Sequence, residues 1–178
     1  MDFDKFLKPL MSTVPLTFTP IGSIVAMFVI VYLSKIQHVM YSIVLTRKYD
    51  LVNASYRNDN QKSTWNTEII KRAYNAHQNN WEAFISYSIA MILILQQNIS
   101  SNEINQLCNL FIIVRITYSL IYPLAFAVPL AMIRSGVFTI GIITIMKLFF
   151  IAAPSLYNSP NIEIVKKTIQ KIVLEEQL

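Results

Sequence analysis

Charge is what this 178-residue chain has least of. Only 14% of its residues are charged and 54% are hydrophobic, whereas roughly a quarter are charged in an ordinary soluble domain. Cysteine is almost absent. Cys108 stands alone, which excludes an intrachain disulfide and any cysteine-based zinc site. Its neighbours Leu107, Leu110 and Phe111 mark it as a small packed hydrophobe. Histidine is limited to His38 and His77, with no acidic cluster beside them, so hydrogen bonding rather than metal binding is expected of His77, which has a polar interfacial setting. The net charge of +5 comes without a basic stripe interleaved with aromatics, which excludes nucleic acid as a partner. No pair of helices broken by Gly or Pro is present to build a transporter's central site.

What is there is four long apolar stretches in one domain, the pattern of an all-α integral membrane protein with a four-helix bundle. The spans are expected at about 16–33, 79–96, 104–127 and 135–153. The first should continue as a helix past Lys35, through Ile36, Val39, Met40, Ile43 and Val44. A polar connection follows from Arg47 to about Ile70. Ser101 offers an N-cap to the third span, Pro123 a kink, and residues 128–134 a link to the fourth. Ile162, Val165, Ile169 and Ile172 share one face of a helix expected at about 161–176. That helix reads equally as an interfacial anchor or as one packed on a neighbour. The N-terminus lacks a basic start and a small-residue cleavage site, so the first span is expected to be retained.

Lysine and arginine set the orientation. The first connection holds Arg47, Lys48, Arg57, Lys62, Lys71 and Arg72, and the second holds none. The positive-inside rule then places the first loop and Arg134 in the cytoplasm. Lys166, Lys167 and Lys171 count weakly against this.

Two places concentrate polar chemistry within these apolar segments. Arg72, Asn75, Asn79 and Glu82 recur at helical spacing and carry a polar stripe into the second span. Arg115 sits in the middle of the third, with Tyr118 and Tyr122 on its face. Counting along antiparallel helices from the turn near Ser101 brings Glu82 and Arg115 within roughly 5 Å in depth. Unpaired charges at membrane depth are costly, so the two are expected to pair, with Asn75, Asn79 and Tyr122 bonding around them. On that reading Glu82→Ala destabilises the protein far more than Glu103→Ala. A salt bridge that only locks two helices is the plainer alternative. At the entrance of the fourth span, Arg134 and Ser135 would meet the free N–H groups of a helix start and could receive an anion or thiolate. A snorkelling arginine beside a serine N-cap is the alternative there. Trp81 reads as an interfacial belt residue.

With these segments read, the chain resembles the MAPEG family, the membrane-associated proteins in eicosanoid and glutathione metabolism. Arg72-Ala-Tyr-Asn75-Ala-His77-Gln78-Asn79-Asn80-Trp81-Glu82 is similar to the segment opening that family's second span. Arg115-Ile-Thr-Tyr118-Ser-Leu-Ile-Tyr122 and Ile133-Arg134-Ser135 are similar to its motifs in spans three and four. Tyr49, Asp50 and Asn53, taken with the Gln78–Phe84 segment, look most like its uncharacterised bacterial-type branch. The resemblance implies a homotrimer in a bacterial plasma membrane or an endomembrane. It also implies glutathione as cofactor at subunit interfaces and lipophilic electrophiles as substrates. Arg134 would stabilise the glutathione thiolate beside Ser135, and Arg72, Asn75, Gln78, Asn79, Glu82, Arg115, Tyr118 and Tyr122 would line or brace the pocket. Glutathione-using members have arginines where this chain has Asn75 and Gln78, and Lys71 and Arg72 are the cations left to compensate. Phe138 and Tyr118 stand where a prostaglandin-synthase-like member has tyrosine and histidine. A thiol-dependent transferase or peroxidase is the leading expectation. A noncatalytic lipid-binding scaffold of the same fold is the second, and a channel or transporter the third.

Overall fold

A computed structural model describes residues 7–10, 18–46, 65–99 and 101–157. The expected helix at 161–176, residues 16 and 17 of the first span, and most of the first connection lie outside them. Four long helices make up the rest: α1 (Pro20–Thr46), α2 (Trp65–Gln96), α3 (Asn102–Ile121) and α4 (Val128–Tyr157). Three segments are long and apolar enough to cross a membrane: Pro20–Leu45, Asn102–Leu124 and Val128–Ala153. By the same measure α2 is not a fourth, because its polar stripe dilutes the apolar run that follows.

Local chemistry explains most helix ends. Ser101 caps α3, its hydroxyl accepting from the Ile104 N–H at 3.2 Å. At the end of α2, Asn98 takes φ 51°, a left-handed conformation that asparagine tolerates. There Ile99 N–H reaches back to the Ile94 carbonyl and Asn98 N–H to that of Leu95, closing the helix as a Schellman turn. Pro123 ends α3 rather than kinking it, and the 3-10 turn Tyr122–Leu124 follows. Two expected boundaries move outward. α2 begins at Trp65, inside the expected polar connection, and α4 begins at Val128, so residues 128–134 are helix and not link. Pro129 suits the first turn of α4, where no N–H is needed.

α1 packs chiefly on α2, α2 on α4, α4 on α3 and α3 on α1. Met27, Val31, Tyr87, Met91, Leu107, Phe111 and Leu148 fill the centre. Tyr87 stacks on Phe111 with centroids 4.1 Å apart and donates its hydroxyl proton to Ser23 Oγ at 2.6 Å. Cys108 is buried, with Sγ 3.6 Å from Met91 Sδ, as its apolar neighbours predicted. Val25, Ile36, Met132 and Phe150 stand more than half exposed on the outside. Outward apolar faces on apolar helices are what a bilayer solvates, and a bilayer accepts such helices because their backbone groups are satisfied internally.

Lys147, 9% exposed on α4, pairs with Glu103 of α3 at 2.5 Å. This pair overturns the expected ranking of the two glutamates. Glu103→Ala leaves a nearly buried cation without its carboxylate and should cost about 1–2 kcal/mol, moderated by the exposure of Glu103. Glu82→Ala should leave the subunit's own packing unchanged. Denaturant or thermal unfolding of the two variants in detergent checks the order.

Candidate functional site

The polar residues of α2 divide by direction. Asn79 Nδ2 donates to the Tyr118 hydroxyl at 2.6 Å, and Asn80 Nδ2 to Ser119 Oγ at 2.7 Å. These bonds lock α2 to α3 and set their register, with Glu82 and Arg115 at similar depth. The two charges do not pair. Glu82 lies three residues beyond Asn79, a turn of about 300° at 3.6 residues per turn, which carries it onto the exposed surface of α2. Arg115 is 2% exposed. Its guanidinium lies 5.4, 5.5 and 5.7 Å from the ring centroids of Phe111, Tyr118 and Phe138. Gly141 faces it from α4, where an added Cβ would stand in ordinary contact, 3.5 Å from Nη2. Cation–π attraction replaces the expected carboxylate, and Nε and Nη1 have no hydrogen-bond partner.

Beside this cage a cleft of about 230 Å³ opens between α2, α3 and α4. It is lined by Asn79, Tyr118, Tyr122, Arg134, Ser135, Phe138 and Thr139. Arg134 lies over the Tyr122 ring at 4.9 Å and has no carboxylate partner among the described residues. Tyr118 accepts the Asn79 amide proton, which leaves its own hydroxyl proton free to donate into the cleft. Ser135 differs from expectation. It sits in the second turn of α4, not at its start, and its hydroxyl donates to the Ala131 carbonyl at 3.0 Å. It is therefore no N-cap, and no free N–H groups face an anion at this point. In this rotamer Ser135 offers lone pairs to the cleft, and Arg134 and the Tyr118 and Tyr122 hydroxyls are proton donors on its wall.

The remaining predicted residues lie elsewhere. Arg72 donates to the Ala125 carbonyl at 2.5 Å and covers the Phe126 ring at 4.4 Å, so it ties α2 to the α3–α4 connection. Asn75, Gln78, Glu82 and Arg115 are not on the cleft wall. The bonding expected of Asn75 and Tyr122 around a Glu82–Arg115 pair therefore has no centre to form on. Thr139 and Phe138 join the wall because they follow Ser135 and Arg134 by one turn. That i, i+4 spacing was the signal for Thr139, which sequence reasoning did not single out. His77 hydrogen-bonds as expected, Nδ1 lying 3.1 Å from Ser34 Oγ and 3.2 Å from the Val31 carbonyl. Trp81 sits edge-on among Tyr32, His77 and Phe84, packed between α1 and α2. A second, mostly apolar groove of about 270 Å³ lies between α1 and α3, with Ile30, Leu33, Ile116 and Leu120 on its walls.

Three apolar helices, and a polar cleft held among helices at their depth, define a polytopic integral membrane protein. The chain belongs to the MAPEG family, whose sequence profile matches residues 14–154. No curated protein and no solved structure matches it.

Proposed function

We propose that the protein is a thiol-dependent transferase or peroxidase, with glutathione as its cofactor, acting on lipophilic electrophiles drawn from the bilayer. The observation that supports this best is the convergence of an Arg134 without a carboxylate partner with Tyr118, Tyr122 and Asn79 on one cleft. A thiol entering the cleft meets a permanent cation, which favours the thiolate, the form that attacks. The sulfur then bonds to the electrophilic carbon as a C–O bond breaks, and the Tyr118 hydroxyl protonates the departing oxygen. Solvent returns that proton to Tyr118. In this reading α2 crosses the membrane as the fourth span, the first loop faces the cytoplasm, and three copies assemble so that each cleft borders a neighbour.

A noncatalytic lipid-binding scaffold is the second reading. Asn75 and Gln78 favour it, because neither supplies the bidentate grip an arginine gives a peptide carboxylate. Arg72 does not make up the loss while it is engaged with Ala125 and Phe126. The apolar groove between α1 and α3 favours it as well.

The test is to titrate the purified, detergent-solubilised protein with glutathione and follow thiolate absorbance. A saturable rise at or below millimolar glutathione is the expected result. No rise removes the glutathione reading and leaves the scaffold, or an enzyme that uses another thiol.

A further inference from the structure

The cleft lies on one side of α3 and the apolar groove on the other. Tyr118 faces the cleft, while its neighbours Ser119 and Leu120 face the groove of about 270 Å³ that α3 shares with α1. The floor of the groove is buried: Ile30, Ser34 and Ser119 are each less than a tenth exposed. Its rims, Leu33, Ile116 and Leu120, are open apolar side chains on helices that a bilayer solvates. No residue lining it is charged.

Polarity changes along its length. Toward the middle of the membrane the walls are Ile30 and Ile116. The unbroken apolar run of α1 ends at Leu33, and Ser34, Lys35, Gln37 and His38 follow. Gln37 lies four residues, roughly 6 Å, beyond Leu33, where hydrocarbon gives way to the polar layer of a bilayer. Tyr32 and Trp81 meet edge-on at the same boundary, the level at which such aromatics gather. The Gln37 carboxamide forms no hydrogen bond among the described residues. Amide protons left without an acceptor beside apolar walls are costly. The serines add no competing donor, because Ser34 gives its proton to the Val31 carbonyl at 2.7 Å and Ser119 to that of Arg115 at 2.8 Å. Gln37 is therefore the one side-chain donor on the groove wall.

Size decides between a helix and a single chain as occupant. One turn of helix, about 10 Å across and 5.4 Å long, fills on the order of 400 Å³. That exceeds the groove, so a helix of a second copy can lie across it but not in it. An extended acyl chain is the slender apolar body that the bilayer itself supplies, and its ester carbonyl sits in the polar layer where Gln37 stands.

We propose that the groove between α1 and α3 is a site for one acyl chain of a glycerophospholipid, with the Gln37 amide donating to the ester carbonyl of that chain. Ile30 and Ile116 meet the deeper methylenes, and the headgroup stays outside walls that have no charge to meet it. The site goes beyond the thiol chemistry proposed above and stands whether or not glutathione binds.

The full-length protein in detergent is titrated with diester phosphatidylcholine and with the diether analogue, which keeps chains and headgroup but lacks the carbonyls. Native mass spectrometry counts the lipid retained per chain. One diester lipid per chain is expected, held about three- to tenfold more tightly than the diether, the worth of one hydrogen bond. Gln37→Leu should bind both lipids alike, at the affinity of the diether, with its unfolding temperature unchanged. Ile116→Trp fills the groove and should release the diester lipid. Equal affinities of the wild type for diester and diether overturn the Gln37 contact, and undiminished lipid in Ile116→Trp overturns the groove as the site. Retention of palmitic acid with no phosphatidylcholine overturns the phospholipid as occupant. Loss of an oligomer in Ile116→Trp with lipid unchanged overturns the proposal in favour of a second copy lying across the groove. None of these outcomes alters the thiolate signal, which tests the cleft by itself.

Discussion

Arg134→Ala should abolish most of the thiolate signal without unfolding the protein. A free thiol with a pKa near 8.5 is about 3% ionised at pH 7. If the cation in the cleft lowers that value by about two units, ionisation rises to roughly 75%, a gain of about 25-fold. Arg134 is the one cation among the residues that line the cleft, and Ser135 adds no proton there because it spends its own on the Ala131 carbonyl. The substitution removes a guanidinium that touches only the Tyr122 ring and the cleft, so stability should change little. Arg134→Lys should recover part of the signal, since an ammonium keeps the charge and loses the planar fork. Thiolate absorbance at saturating glutathione reads all three proteins. Equal signals in wild type and Arg134→Ala would show that the cation is not the thiol's partner.

Hydropathy and helical spacing carried the fold further than they carried the site. Four helices were legible because each contains a long apolar run, but their ends were not. Trp65–Gln78 continues α2 without the hydropathy that marks a span, and Pro129, which reads as a break in sequence, sits in the first turn of α4, so Val128–Ile133 belongs to the helix. The site shows the same division between axis and azimuth. Counting residues from the turn near Ser101 placed Glu82 level with Arg115, as the Asn79–Tyr118 and Asn80–Ser119 bonds bear out. Level is not contact, however, and only the rotation of α2 about its axis shows that Glu82 points outward. Asn79, Tyr118, Tyr122, Arg134 and Ser135 were all legible, and they share the cleft wall. The Lys147–Glu103 pair was not anticipated. Its signal was a lone lysine in the last span opposite an acid at the start of the third.

Arg115→Met should stabilise the protein and impair the cleft. A guanidinium buried to 2% exposure with Nε and Nη1 unbonded has given up hydration that three rings restore only in part. An arginine at the centre of a membrane helix costs about 2.5–3.5 kcal/mol on insertion scales, against about 2 kcal/mol for a desolvated cation–π contact. Methionine fills much of the same volume with no charge to desolvate, so the net gain should be about 1 kcal/mol or more. The same residue backs Tyr118 and Phe138, two residues of the cleft wall. Losing its positive field should make the Tyr118 hydroxyl a weaker proton donor and slow turnover of an electrophile whose leaving oxygen needs that proton. Glutathione thiolate formation, which depends on Arg134, should survive. A higher unfolding temperature together with a normal thiolate signal and a lower turnover number is the expected result. A lower unfolding temperature would mean that the cage stabilises its cation by more than the bilayer penalises it, and that Arg115 is a structural keystone rather than a cost borne for the cleft.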